Sequence, residues 1–398
     1  MRWLRHRRQQ LVLLLLAAMG GVATAQTMAL AGQEAGRHGG AQPRYELIRL
    51  LPGIIATYPR INAAGQVAVS MVIKGRTRGF FYDGAALRQL GWSGGGAVYA
   101  NGLNDAGQVV GTALNRVGVE RAFVWSARGG MLDPTAGAGP RASYGMAING
   151  RGVVTGSFNG GARPFRWSAT GGLQDLGSTA AFPAPSSGRV LNDSGLIAGV
   201  TTIDEETTRV FAWTGERGLL DIDTLGSVES SPVAVGAGGE VAGNRLASWD
   251  DGGDRPFLWT RATGMRDLGI GGGSTAWVNA MTPGLHIAGA IGYPDGRQRA
   301  MSWTRRGGMH ELGTLGGRTS VARAVNARGE IVGFAEDQTG DMRAFVWSER
   351  SGMRDLNRLL LRASRGLLLD HALAVNDSGV IVASSNAGLV LLRPEGGR

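Results

Sequence analysis

The sequence predicts an all-β protein: a β-propeller of eight four-stranded blades, in which the N- and C-terminal strands together close the last blade. Three observations carry that expectation. A short motif recurs with marker residues Asn62, Asn104, Asn149, Asn192, Gly236, Thr282, Asn326 and Asn376, at intervals of 42 to 50 residues. Each recurrence reads as four short strands, and repeats of about 40–45 residues with four strands are the sequence form of radial blades. The fourth strand that the last unit lacks is available at the start of the chain.

The unit ending at Leu356 shows the order of elements. Segment a runs into Asn326, and Asn326-Ala-Arg-Gly329 has the chemistry of a tight hairpin turn. Asparagine bonds its own backbone there, and glycine takes positive φ without penalty. Segment b, Glu330-Ile-Val-Gly333, follows. Segment c, Arg343-Ala-Phe-Val-Trp347, is apolar on both faces, so it belongs in a sheet packed between two others. Segment d is Met353-Arg-Asp-Leu356. The two departures at the marker, Gly236 and Thr282-Pro283, still suit a turn. This use of glycine accounts for 67 glycines in 398 residues. The aromatic that ends segment c (Tyr82, Trp125, Trp167, Trp213, Trp259, Trp303, Trp347) reads as a packing device.

The chain ends supply the count of eight. Tyr45-Glu-Leu-Ile-Arg-Leu50 precedes the first segment a and has the apolar character of a segment d. A linear solenoid would end in polar capping units, whereas the last unit keeps Val375, Val380, Ile381, Val382 and Leu389. The expected plan is a cleavable signal peptide at 1–25, a flexible tether at 26–43, one repeat domain at 44–394 and a tail at 395–398.

Composition narrows the function classes. Zero cysteines exclude disulfide scaffolds, thiolate metal sites and a cysteine nucleophile. Formal net charge is +10 from 41 basic and 31 acidic residues, but the arginines are scattered, with no basic stripe of the kind that binds nucleic acid. A basic start (MRWLRHRRQQ), a short apolar run and Ala23-Thr24-Ala25 have the three-part form of an export signal. That run is too short to span a bilayer comfortably. The expected location is secreted or periplasmic, with cell-surface association open. Both the general secretory and the twin-arginine routes remain open, and a monomer with no membrane span after cleavage is expected.

No catalytic constellation is legible. The acids eight positions beyond each tryptophan (Asp133, Asp175, Asp221, Asp267, Glu311, Asp355) follow from the module and suit turn or arginine partners better than acid–base chemistry. His286, His310 and His371 have no ligand spacing. The b-to-c connections vary, and variable loops on a rigid frame are where binding usually resides. Four neighbouring connections carry acids: Asp204, Glu205, Glu206; Asp250, Asp251, Asp254; Asp295; and Glu336, Asp337, Asp341. Neutralisation by Arg209, Arg255, Arg297 and Arg343 is the default reading of this rim. Calcium held by Asp250, Asp251 and Asp254 is the sharper alternative, and no other cofactor is expected. The leading functional expectation is an exported binding or scaffold module, with an extracellular protein or glycan as partner. The alternatives are a hydrolase or lyase acting on extracellular polymers or glycans, by fold analogy alone, and a purely structural surface protein.

The units resemble the bacterial extracellular HAF repeats. The family's string becomes Arg-Ala-Phe at 121–123 and 343–345 and Arg-Pro-Phe at 163–165 and 255–257. The wider pattern matches best at 281–333, where Glu-Leu-Gly-Thr-Leu-Gly-Gly fills 311–317. The resemblance covers roughly residues 45–394. It implies an exported bacterial repeat protein and supplies no catalytic residues.

Overall fold

The computed structural model describes residues 44–92, 95–177, 186–204, 206–250, 253–362 and 366–396. The expected signal peptide and tether, Glu205, Asp251 and the last two residues lie outside them.

Strand β1 is Tyr45–Leu51, and β2–β5 are Ile54–Ile61, Val67–Ile73, Arg76–Tyr82 and Leu87–Gln89. Val98–Leu103, Val109–Leu114, Glu120–Ser126 and Gly130–Leu132 form β6–β9. Tyr144–Ile148, Val154–Phe158, Arg163–Ser168 and Gly172–Asp175 form β10–β13. Then come β14–β17 (Ser186–Leu191, Ile197–Thr202, Thr208–Thr214, Gly218–Asp221) and β18–β21 (Glu229–Val235, Val241–Leu246, Asp254–Thr260, Gly264–Asp267). Thr275–Met281, Ile287–Gly292, Gln298–Thr304 and Gly308–Glu311 are β22–β25. Gly316–Val325, Ile331–Asp337, Met342–Ser348 and Gly352–Asp355 are β26–β29. The last strands, β30–β32, are Leu369–Val375, Ile381–Ser385 and Gly388–Pro394. Within each group neighbours pair antiparallel, and β1 pairs with β32 from Tyr45↔Pro394 to Leu51↔Leu389.

Hydrogen bonding does not, however, make eight separate blades. It assembles six sheets, four of four strands and two of eight, and no sheet closes on itself. The expected eight-bladed β-propeller, and the HAF-repeat description of eight equal units, are corrected to an open all-β arrangement of six sheets. The local cause is two parallel contacts between a third strand and the next group's first strand. Thr208 pairs with Glu229 and Gln298 with Thr319, so β16 continues into β18 and β24 into β26.

Packing explains the sequence motif. In β27, a Cβ on Gly333 would stand 2.0 Å from the Val321 carbonyl oxygen and 2.9 Å from the Phe345 ring. The glycine lets the β28 phenylalanine lie flat over the sheet, and Phe123, Phe165, Phe211, Phe257 and Phe345 are all fully buried. Such rings bury about 150–250 Å² each and dominate core energetics. The apolar clusters lie between sheets: Val67, Val69 and Phe80 pack with Val382, Leu389 and Leu391. Both faces of each third strand are therefore covered, as its two-sided apolar pattern requires.

The turn asparagines link one group to the next. Asn62 Nδ2 donates to the Asn104 carbonyl at 3.0 Å, Asn104 to Asn149 at 3.0 Å, Asn149 to Asn192 at 2.9 Å and Asn192 to Gly236 at 2.8 Å. Farther along, Asn326 donates to Asn376 at 2.9 Å and Asn376 back to Asn62 at 3.0 Å. Each Oδ1 accepts from its own turn, as Asn326 does from Glu330 N at 2.9 Å. Buried amides are retained only when so satisfied. The first strands of the groups pack side by side in chain order, and β30 lies beside β2. That circuit is made by packing and side-chain bonds, not by a continuous ladder.

Candidate ligand-binding site

The acidic loops come first, because the sequence singles them out. Asp204 Oδ1 accepts from the backbone N–H of Glu206 and Thr207 at 2.9 and 2.8 Å, and the Glu206 contact leads in lowering its pKa. Asp295 accepts the N–H and Nε of Arg297 at 3.1 and 2.6 Å, which lowers its pKa too. Asp337 is bonded most heavily. Thr339 supplies its hydroxyl and N–H, Asp341 its N–H and Arg343 its Nε, and these hold the carboxyl far below the usual carboxylate range. Asp341 takes the other arm of Arg343 at 2.9 Å, and Glu336 accepts from Arg318 N at 2.8 Å. These acids stabilise their own turns. Asp254 differs, because burial raises its pKa and so disfavours its charge. Asp251, a member of the expected calcium set of Asp250, Asp251 and Asp254, lies outside the described residues. Among the described residues no group of three or more His, Asp and Glu is arranged to hold a metal ion.

The acids beyond the tryptophans pair with arginines. Asp133 meets Arg121 at 2.8 Å, Asp175 meets Arg163 at 2.6 Å and Asp267 meets Arg245 at 2.7 Å. His286 Nε2 lies 2.7 Å from the buried Ser302 hydroxyl, and burial lowers its pKa. His371 Nδ1 bonds Asp370 at 3.0 Å, and its ring meets Phe334 with centroids 4.5 Å apart.

The arrangement that sequence reasoning missed lies on the first strands. Bulges between Gly188 and Val190 and between Ala322 and Ala324 leave Arg189 and Arg323 outside the ladder, each three residues before its marker asparagine. Arg60 stands at the corresponding end of β2, and its Nε donates to the Asn101 carbonyl at 2.9 Å. Among the described residues none of the three has an acidic partner. Arg60 and Arg189 are solvent-accessible, yet desolvation by surrounding protein lowers the pKa of both. The Arg323 guanidinium lies between two rings, 5.2 Å from the centre of Tyr58 and 5.3 Å from that of Phe334. Cation–π contacts of this kind fix the plane of the fork, and Tyr58 is itself 53% exposed. The shared offset of Arg189 and Arg323, three residues before their marker asparagines, was the signal available in the sequence, and Arg60 stands two before its own.

No family model matches the chain, and no curated protein matches it. Solved structures give low-identity likenesses. Virginiamycin B lyase from Staphylococcus aureus is 11% identical over 88% of this chain and 99% of its own, with a TM-score of 0.41. A Mycobacterium tuberculosis puromycin-hydrolyzing peptidase is 14% identical over 90% of this chain and 52% of its own, with a TM-score of 0.46. TolB from Acinetobacter baumannii is 8% identical over 89% and 79%, with a TM-score of 0.40. Likenesses this low carry no argument about activity. What stands is a large, mostly β protein, and among the described residues no helix is long and apolar enough to cross a membrane.

Proposed function

We propose that the protein is exported and is a binding protein for an anionic ligand, taken up by the first-strand arginines Arg60, Arg189 and Arg323. The observation that supports this reading is the absence of any acid beside these arginines among the described residues, whereas the arginines of the third strands, such as Arg121, Arg163 and Arg343, are ion-paired. A guanidinium without a counter-ion on the protein keeps its charge available to an anionic ligand. Its planar fork matches carboxylate and phosphate oxygens in bidentate fashion. The export signal read at 1–25 supports an extracytoplasmic ligand.

The test is calorimetric titration of the mature chain with inorganic tripolyphosphate, with a polygalacturonate oligomer and with a neutral oligosaccharide of equal length. One or both anions should bind, with affinity falling as salt rises because exposed charges are screened beyond about 8–10 Å. The Arg189→Ala/Arg323→Ala double variant should lose at least tenfold. Equal binding by parent and double variant, or no binding of either anion, would overturn the reading. New reducing ends from the polygalacturonate would instead favour the polymer-acting hydrolase or lyase.

A further inference from the structure

A second site lies between the β18–β21 and β22–β25 groups, at the place where the chain of turn asparagines is broken. Asn192 still donates to the Gly236 carbonyl, but Gly236 has no side chain to pass on to the Thr282 turn. Thr282 does not reach the next group either, since its hydroxyl accepts the N–H of its own turn residue His286 at 3.0 Å. A companion contact is missing as well. Elsewhere an aspartate one residue past the marker accepts a backbone N–H from the preceding turn: Asp105 from Ala63 at 2.9 Å, Asp193 from Gly150 at 2.8 Å, Asp377 from Ala327 at 2.8 Å. Here that position is Pro283, and Ala237 N bonds its carbonyl instead at 3.1 Å.

The break strands one carboxylate. Four residues past the marker, Gln66, Gln108 and Glu330 each accept from their own asparagine, at 2.7, 2.8 and 2.6 Å. Glu240 holds the same position behind Gly236 and finds no such donor. Its Oε2 has no hydrogen-bond partner among the described residues and lies 2.7 Å from where a Cβ on Gly236 would be. Its Oε1 meets Arg305 at 3.8 Å. Glu240 borders a cleft of about 590 Å³ that Leu258, Leu268, Trp303, Arg261 and Arg305 also line. This volume is within the usual range of ligand sites, roughly 300–1,000 Å³.

We infer that this cleft binds a neutral sugar, one or two rings in length. The carboxylate of Glu240 turns outward to accept hydroxyl hydrogens, and the guanidinium groups of Arg261 and Arg305 donate to hydroxyl oxygens. Trp303 and the leucines cover the C–H face of the ring. The lining sets Arg261, Arg266 and Arg305 against Glu240 and Asp267, so a neutral ligand whose hydroxyls both donate and accept meets both kinds of charge, and a wholly apolar one leaves the carboxylate unpartnered, which costs the full desolvation of that group. The site does not depend on the arginines of the first strands.

The mature chain would be titrated with glucose, galactose, N-acetylglucosamine and their β-linked dimers, by calorimetry and saturation-transfer NMR. At least one should bind. Glu240→Gln keeps the shape and should weaken binding at least tenfold. Gly236→Asn restores the missing donor and only has to displace the flexible ends of Glu240 and Leu285, 2.7 and 3.0 Å from the new Cβ. It should raise the melting temperature and weaken sugar binding at least tenfold by recapturing Glu240. The Arg189→Ala/Arg323→Ala variant should bind the sugar as the parent does. Parent-like affinity in both Glu240→Gln and Gly236→Asn, or no binding of any of these sugars by the parent, would overturn the inference.

Discussion

Asn376→Ala tests whether side-chain bonds, and not a continuous ladder, join the last group of strands to the first. Asn376 is 6% exposed. Its Nδ2 donates to the Asn62 carbonyl at 3.0 Å, across 314 residues of sequence, and its Oδ1 accepts from Val380 N at 2.9 Å and Ser378 N at 3.1 Å. Alanine removes these three bonds and a longer one from Nδ2 to the Ala63 carbonyl at 3.4 Å, and leaves buried backbone groups behind. At about 1 kcal/mol per bond, with more for each group left unsatisfied, the loss is about 3 kcal/mol. Unfolding entropy is roughly 2.1 cal/mol/K per residue, so over roughly 350 residues the melting temperature should fall by about 4 °C. Differential scanning calorimetry would measure it. Asn101→Ala is the control, because Asn101 makes a single side-chain bond to the Gly145 carbonyl at 2.8 Å. A fall for Asn376→Ala no larger than for Asn101→Ala would refute the reasoning.

Three further outcomes are expected. Gly333→Ala drives a Cβ to 2.0 Å from the Val321 carbonyl oxygen and should cost about 3 kcal/mol or more, read from urea midpoints. Burial raises the Tyr45 pKa to about 12, so the fold favours the neutral phenol. The stability that this lends is complete below the unfolded value near 10 and is lost as pH rises toward 12; Tyr45→Phe should remove that part of the alkaline melting curve. Arg189→Ala deletes a desolvated charge with no acidic partner and should leave the melting temperature unchanged or slightly higher; a clear drop would mean that Arg189 is structural.

Much of the fold was legible because its residue types each have one local task. The turn asparagines, the positive-φ glycine after them (Gly329, φ 79) and the Gly333–Phe345 contact all follow from turn chemistry and volume. The pairing of β1 with β32 could be anticipated from the surplus apolar strand at 45–50. The merging of sheets could not, since it rests on two residue pairs, Thr208↔Glu229 and Gln298↔Thr319, set by where connections turn. Asp204, Asp295 and Asp337 drew attention as a charged set. Their spacing before the N–H groups they accept, two residues on in each case, was the better guide. Arg189 and Arg323 were passed over because a bulge changes where a strand residue points, and alternation alone does not reveal bulges.

The distribution of charge separates the two proposed sites and yields one last expectation. Rim acids are held by their own turns, and the acids beyond the tryptophans by arginines, so neither set offsets Arg60, Arg189 and Arg323. Positive charges left without acidic partners favour anions. At the cleft charges of both signs are present, Arg261, Arg266 and Arg305 beside Glu240 and Asp267, which suits a neutral ligand that both donates and accepts. A polygalacturonate oligomer should therefore be displaced from the protein by tripolyphosphate and not by the neutral sugar, while the neutral sugar should bind equally with or without tripolyphosphate. Titration of each ligand in the presence of saturating amounts of the other would measure this. Mutual displacement of the neutral sugar and the phosphate would mean one shared site, and the division of labour argued from Gly236 and the first-strand bulges would fall.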